Sequence, residues 1–122
     1  MMETKTIIKG ERIYEGGRMS LNLEISEDFI TLWVRHLDES YLYIFNRESK
    51  SLWTGHLKGK TKKGRVFEPG SAEYLCNLAS LKTYLADLFL LKPNDLNILE
   101  ILKELNGFDN FLRLLFKLLA ND

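Results

Sequence analysis

The chain contains no glutamine and only one cysteine, Cys76. A single cysteine excludes an intramolecular disulfide and a cysteine-based zinc cluster, and such sparing use points to a reducing interior. The missing glutamine leans toward a hot-living source in which thermolabile amides are avoided, although asparagine is plentiful. No apolar run approaches the ~18 residues of a membrane span, and the opening MMETKTIIKGERIYEGG has no hydrophobic stretch of signal-peptide length. A cytoplasmic location is therefore expected. Net charge is lacking too, since 17 basic residues balance 17 acidic ones.

That neutrality is a sum of unlike parts. Residues 1–46 and 68–122 each sum to about −3, and the compensating excess of about +6 lies between Lys50 and Arg65. Within SLWTGHLKGKTKKGR stand Lys58, Lys60, Lys62, Lys63 and Arg65 without one acidic residue. Otherwise the composition is that of an ordinary globular protein, 45% hydrophobic and 28% charged, on a chain long enough for one domain with its own core.

The first half reads as strands. RMSLNLEIS alternates Met19, Leu21, Leu23 and Ile25 with polar residues, the period of a half-buried strand. FITLWVRHL and YLYIFNR, separated by Asp38, Glu39 and Ser40, form a hairpin rich in β-branched and aromatic residues. SLWTGHLKG follows, GRVF closes the ribbon left by the lysine loop, and TKTIIKGERIY is a further edge strand or a loose arm. The expectation is an α+β protein with a roughly four-stranded antiparallel sheet followed by two or three helices.

The helical half begins after Pro69 and Gly70, with Ser71 as N-cap and Glu73 in the first turn. Tyr74, Leu78, Leu81, Leu85 and Leu88 form one apolar stripe, predicted to cover a face of the sheet, and Lys92 and Pro93 end the helix. Further on, Ile98, Leu105, Leu112 and Leu119 stand seven apart, with Ile101, Phe108 and Leu115 in the alternate slots. These a and d positions make a leucine-rich seam suited to a homodimer or tetramer, with Leu102, Phe111, Phe116 and Leu118 widening it. Asn106 and Gly107 allow the competing reading, in which one helix stops there and another starts near Asp109 as a helical hairpin. Residues 1–92 thus read as a sheet-plus-helix binding domain and 93–122 as a helical oligomerisation segment packed on it, in a single domain overall.

Parity divides the sheet into two faces. Ile30, Leu32, Val34, Leu42 and Ile44 suit the core, which leaves Thr31, Trp33 and Arg35, then Tyr41, Tyr43, Phe45 and Arg47, and Trp53, on the other face. Rings interleaved with cations suit single-stranded nucleic acid, whose bases stack for roughly 1–3 kcal/mol each and whose phosphates follow a positive groove. Aromatics at period two also build cores, and a lysine-rich hairpin is often just a solvated tip. Their adjacency, with Trp53 leading into the lysine run, favours the nucleic-acid reading.

In its layout the chain resembles the ThermoDBP-related single-stranded DNA-binding proteins of thermophilic archaea. ITLWVRH, YLYIFNR, LKGKTKKGR and the heptad from Ile98 to Leu119 carry the resemblance. It implies sequence-tolerant binding in a cleft with apolar walls and basic edges. The strand-rich half followed by a helix is also similar to Whirly-type and transcriptional-coactivator single-strand binders, from which the extra C-terminal helix departs.

Catalysis finds little support. His36 and His56 sit in no H-E-x-x-H or H-x-E frame, and Gly59 and Gly64 lack the Walker spacing. Cys76 reads as a small core residue, Asp38 and Glu39 as turn carboxylates, and no carboxylate cluster suggests a metal-dependent nuclease. A non-enzyme without cofactor or metal is expected. The rival reading is a small protein-interaction or regulatory module, such as a viral or plasmid protein, docking through its apolar C-terminal helix.

Overall fold

A computed structural model describes residues 5–106. Among these residues the chain is α+β, with six strands, β1 (Thr6–Tyr14), β2 (Gly17–Ile25), β3 (Phe29–His36), β4 (Glu39–Asn46), β5 (Leu52–Lys58) and β6 (Thr61–Phe67). Two helices follow, α1 (Ala72–Leu91) and α2 (Leu96–Glu104). The strands form one sheet in sequence order with every neighbouring pair antiparallel, an open meander edged by β1 and β6. The count exceeds the expected four for two reasons. The opening segment is a full edge strand, and the lysine run is itself a hairpin, turning at Gly59 and Lys60 between Lys58 and Thr61. Gly59 takes φ +59 in that two-residue turn, a conformation that costs glycine nothing.

The β3–β4 turn decides which residues share a face. Three separating residues, Asp38 to Ser40, pair Val34 with Ile44 and Trp33 with Phe45. The structure instead turns on Leu37 and Asp38 alone, Leu37 taking φ 55, so that His36 meets Glu39 and Val34 meets Tyr41. Leu32 then faces Tyr43 and Ile30 faces Phe45. A one-residue change of register moves every side chain of a strand to the other face. Tyr41, Tyr43 and Phe45 therefore join the aliphatic face, where Tyr43 is 7% and Phe45 3% exposed. This corrects their placement beside Trp33. Leu42 and Ile44, expected in the core, lie half-buried on the face of Trp33 and Trp53. The buried face of the sheet is completed by Ile8, Leu21, Leu23, Ile30, Leu32, Val34 and Leu52.

On the opposite face Gly55 pairs with Gly64 across β5 and β6, and the Trp53 indole lies over both. A Cβ on Gly55 would stand 2.4 Å from Trp53 Cη2, and one on Gly64 would stand 2.3 Å from Trp53 Cζ2. No side chain fits beneath the ring. Gly64→Ala is expected to lift the indole and cost about 1–3 kcal/mol of stability, the usual penalty of overpacking. Urea unfolding followed by tryptophan emission reads both effects, and an unchanged midpoint would mean that the ring does not rest there.

The chain divides into two compact units, Met1–Asn77 and Leu78–Asp122. In the first unit, Ser71 caps α1 by accepting from the Tyr74 amide at 3.0 Å, and the Tyr74 hydroxyl donates to the Lys50 carbonyl at 2.6 Å. Tyr74→Phe is expected to cost about 1 kcal/mol, the net worth of one hydrogen bond, in the same unfolding experiment. Cys76 is exposed, which corrects its assignment as a small core residue.

In the second unit Leu78, Leu81, Leu85 and Leu88 of the α1 stripe are buried. Asp95 caps α2 by accepting from the Asn97 amide, and α2 ends at Glu104, with Asn106 in the left-handed region at φ 57. The seam is thus not one helix from Ile98 onward. Ile98, Ile101 and Leu105, assigned to the oligomer interface, are buried. Phe108, Leu112, Leu115 and Leu119, like the helix that was to carry them, lie outside the described residues.

Candidate nucleic-acid interface

The face opposite the buried one is built by register. Across β3 to β6, Thr31, Ile44, Trp53 and Val66 stand in one row, and Trp33, Leu42, Gly55 and Gly64 in the next. Arg35, Ser40, Leu57 and Lys62 form the third. Trp33 is 44% exposed, and Trp53, half-buried, has one side of its ring on the glycine pair. Both indoles are therefore held on one surface, with Arg35 and Lys62 in the row flanking Trp33. No carboxylate lies on this face from β3 to β6. Planar rings beside cations can stack bases and hold a backbone.

The buried-face side carries a different feature toward β6. Tyr41, Tyr43, His56, Lys63, Arg65 and Asn77 help to line a groove of about 730 Å³. Tyr41 and His56 stack with centroids 4.7 Å apart and planes 4° from parallel. Glu39 accepts a hydrogen bond from the Tyr41 hydroxyl at 2.9 Å and pairs with Lys58 at 3.2 Å. The Tyr41 bond first and the Lys58 contact second hold the Glu39 carboxyl below its ordinary value. Because the folded-state value is depressed, this contribution is fully present above the ordinary carboxylate range and is lost as pH falls through the folded value. With its tyrosines buried or hydrogen-bonded and carboxylates close by, this groove suits an anionic strand less well than the indole face.

The cations assigned to nucleic acid divide into two groups. Lys58 is paired with Glu39, and Arg65 with Glu73 at 3.1 Å, Arg65 also lying 5.2 Å from the Phe67 ring centroid. Arg47 ties down the β2–β3 loop, its Nη1 donating to the Ser26 carbonyl at 2.6 Å and its amide to that of Asp28. Arg35, Lys60, Lys62 and Lys63 are exposed and make no ion pair among the described residues. The structure thus brings Trp33, Trp53, Arg35 and Lys62 together and sets Tyr41, Tyr43, Phe45, Lys63 and Arg65 on the other face. Sequence reasoning missed Gly55 and Gly64, whose signal was two small residues placed across a hairpin from one another.

Among the described residues, no three His, Cys, Asp or Glu side chains gather to hold a metal. His36 lies tilted against Tyr14, with ring centroids 5.3 Å apart. Among the described residues, no helix is long and apolar enough to cross a membrane. In comparison with known proteins, the chain matches no family model, no curated protein and no solved structure.

Proposed function

We propose that this protein binds single-stranded nucleic acid, single-stranded DNA in the first instance, on the indole face and with little dependence on sequence. The observation that carries the reading is the pair of indoles on one face that holds no carboxylate from β3 to β6, Trp53 lying across Gly55 and Gly64 and Trp33 exposed beside Arg35, with Lys62 toward the β6 edge. Bases stack on the rings, and Arg35, Lys60 and Lys62 meet the phosphates. Stacking serves every base alike, which makes the binding sequence-tolerant, and a duplex hides the base faces that the indoles need. The resemblance to ThermoDBP-related proteins points the same way, and no catalytic step is part of the proposal.

Fluorescence anisotropy with labelled single strands, duplex and RNA across a salt series tests it. With about three cations on phosphates, log K is expected to fall against log salt with a slope near −2, at about 0.7 per contact. Replacing Lys60 and Lys62 together by Ala should flatten the slope to near −1 and weaken binding to all sequences equally. Preference for duplex contradicts the proposal. The half-buried Leu42 and Ile44 and the exposed Val66 on the same face favour a second reading, a protein-docking surface. A flat salt response selects that reading.

A further inference from the structure

We infer that the edge strand β1 pairs with β1 of a second copy, antiparallel about Gly10, to form a two-fold symmetric dimer with one continuous sheet. Among the described residues, strand β1 is an open edge. It is nine residues long, and Ile7, Lys9, Glu11, Arg12, Ile13 and Tyr14 are all exposed, Ile7 at 55% and Ile13 at 76%. Such an edge presents an unpaired row of amides and carbonyls as a template for another strand.

Hydrogen-bonding parity limits the registers available. The two-residue turn at Glu15 and Gly16 closes on Tyr14 and Gly17. The even-numbered residues from Thr6 to Tyr14 therefore bond to β2, and Ile7, Lys9, Glu11 and Ile13 turn their backbone groups outward. Bonded residues of an antiparallel pair meet bonded residues, so a self-pairing must centre on Lys9, Gly10 or Glu11, or further out. Centring on Lys9 sets Lys9 against its own copy, and centring on Glu11 does the same to Glu11; both juxtapose like charges. Centring on Gly10 sets Lys9 against Glu11 of the second copy, twice by symmetry, and Ile7 against Ile13, also twice. Every outward side chain then meets its complement, and the most exposed isoleucine is covered.

The other edge lacks this property. Self-pairing of β6 about its midpoint Gly64 would set Lys63 against Arg65, and lysines along an edge oppose such association. The two-fold axis through the β1 pair stands perpendicular to the sheet, so both indole faces lie on the same side. The two β3 strands are then five strand spacings apart, about 24 Å at ~4.8 Å each. Linked platforms on one side raise avidity for long single strands; this consequence rests on the nucleic-acid reading, whereas the pairing itself does not.

Charge reversal tests the pairing with the full chain and no nucleic acid. Sedimentation velocity of the wild type is expected to show a concentration-dependent dimer. Lys9→Glu alone, or Glu11→Lys alone, places like charges opposite one another twice and should weaken the dimer by about tenfold or more. The double variant Lys9→Glu, Glu11→Lys restores opposite charges and should recover it. Mixing the two single variants should give a heterodimer tighter than either alone. Far-ultraviolet circular dichroism confirms that each variant remains folded. A wild type that stays monomeric to millimolar concentration overturns the inference, as does a dimer indifferent to both single changes. Assembly that grows past the dimer without limit indicates head-to-tail β1-to-β6 pairing and overturns it equally.

Discussion

Trp33→Ala should weaken binding of a single-stranded oligonucleotide by about 1–3 kcal/mol, roughly five- to 150-fold, and leave the salt slope unchanged. The ring is 44% exposed and carries no charge, so its removal takes away a stacking surface and no phosphate contact. Its loss leaves no buried cavity, and the unfolding midpoint should move little. The sharpest control is Tyr41→Ala, on the opposite face and hydrogen-bonded to Glu39. If Tyr41→Ala abolishes binding while Trp33→Ala leaves it intact, the strand lies in the groove with the Tyr41–His56 stack and not on the indoles. Anisotropy at one low salt concentration separates the two cases.

Phe45→Ala is expected to show the opposite behaviour, costing about 3–5 kcal/mol of stability, the usual loss for truncating a buried phenylalanine. Phe45 is 3% exposed, pairs with Ile30 on one side and Leu52 on the other, and contributes to the buried face. Against the ~5–15 kcal/mol that holds a typical domain together, this is a large fraction. Denaturant midpoints with unchanged m-values measure it. Below the transition, the remaining folded protein should bind single strands as the wild type does. A Phe45→Ala protein of wild-type stability with lost affinity would restore Phe45 to the ligand surface and invert the two faces of β4.

The contrast between Trp33 and Phe45 shows where the sequence could and could not be read. Periodicity of two identified β2, β-branched and aromatic content identified β3 and β4, and the Ser71 cap with its apolar stripe identified α1. Those signals are local, set by side-chain alternation and by an oxygen near unsatisfied amides. The relative phase of two strands is not local. Leu37 looks like the last apolar residue of a strand, yet it takes a positive φ in a two-residue turn. Alternation within β4 is apolar on both parities, with Tyr41, Tyr43 and Phe45 against Leu42 and Ile44, so hydrophobicity could not reveal the slip.

The same cause split the candidate site. Trp33, Arg35 and Trp53 share a face as expected because β3 and β5 are both displaced relative to β4 and remain in phase with each other. The cations proved harder to read. The run from Lys58 to Arg65 is evenly basic in sequence, but strand alternation sends Lys62 to one face and Lys63 and Arg65 to the other. Lys58 and Arg65 are engaged by Glu39 and Glu73, acids 19 and 8 residues distant in the chain. Asn106, suspected as a helix stop, follows the end of α2 in a left-handed conformation, where asparagine is one of the few non-glycine residues tolerated.

The chain has two tryptophans, Trp33 and Trp53, and both lie on the face proposed to stack bases. Their intrinsic fluorescence therefore reports on that surface without label or mutation. Titration of the wild type with an unlabelled single-stranded oligonucleotide at low salt is the most direct measurement. Saturable quenching that is reversed by added salt, and that is far weaker with the matching duplex, is the predicted result. Tryptophan emission unchanged at concentrations where the protein binds the same strand, or binding confined to duplex, would contradict the account.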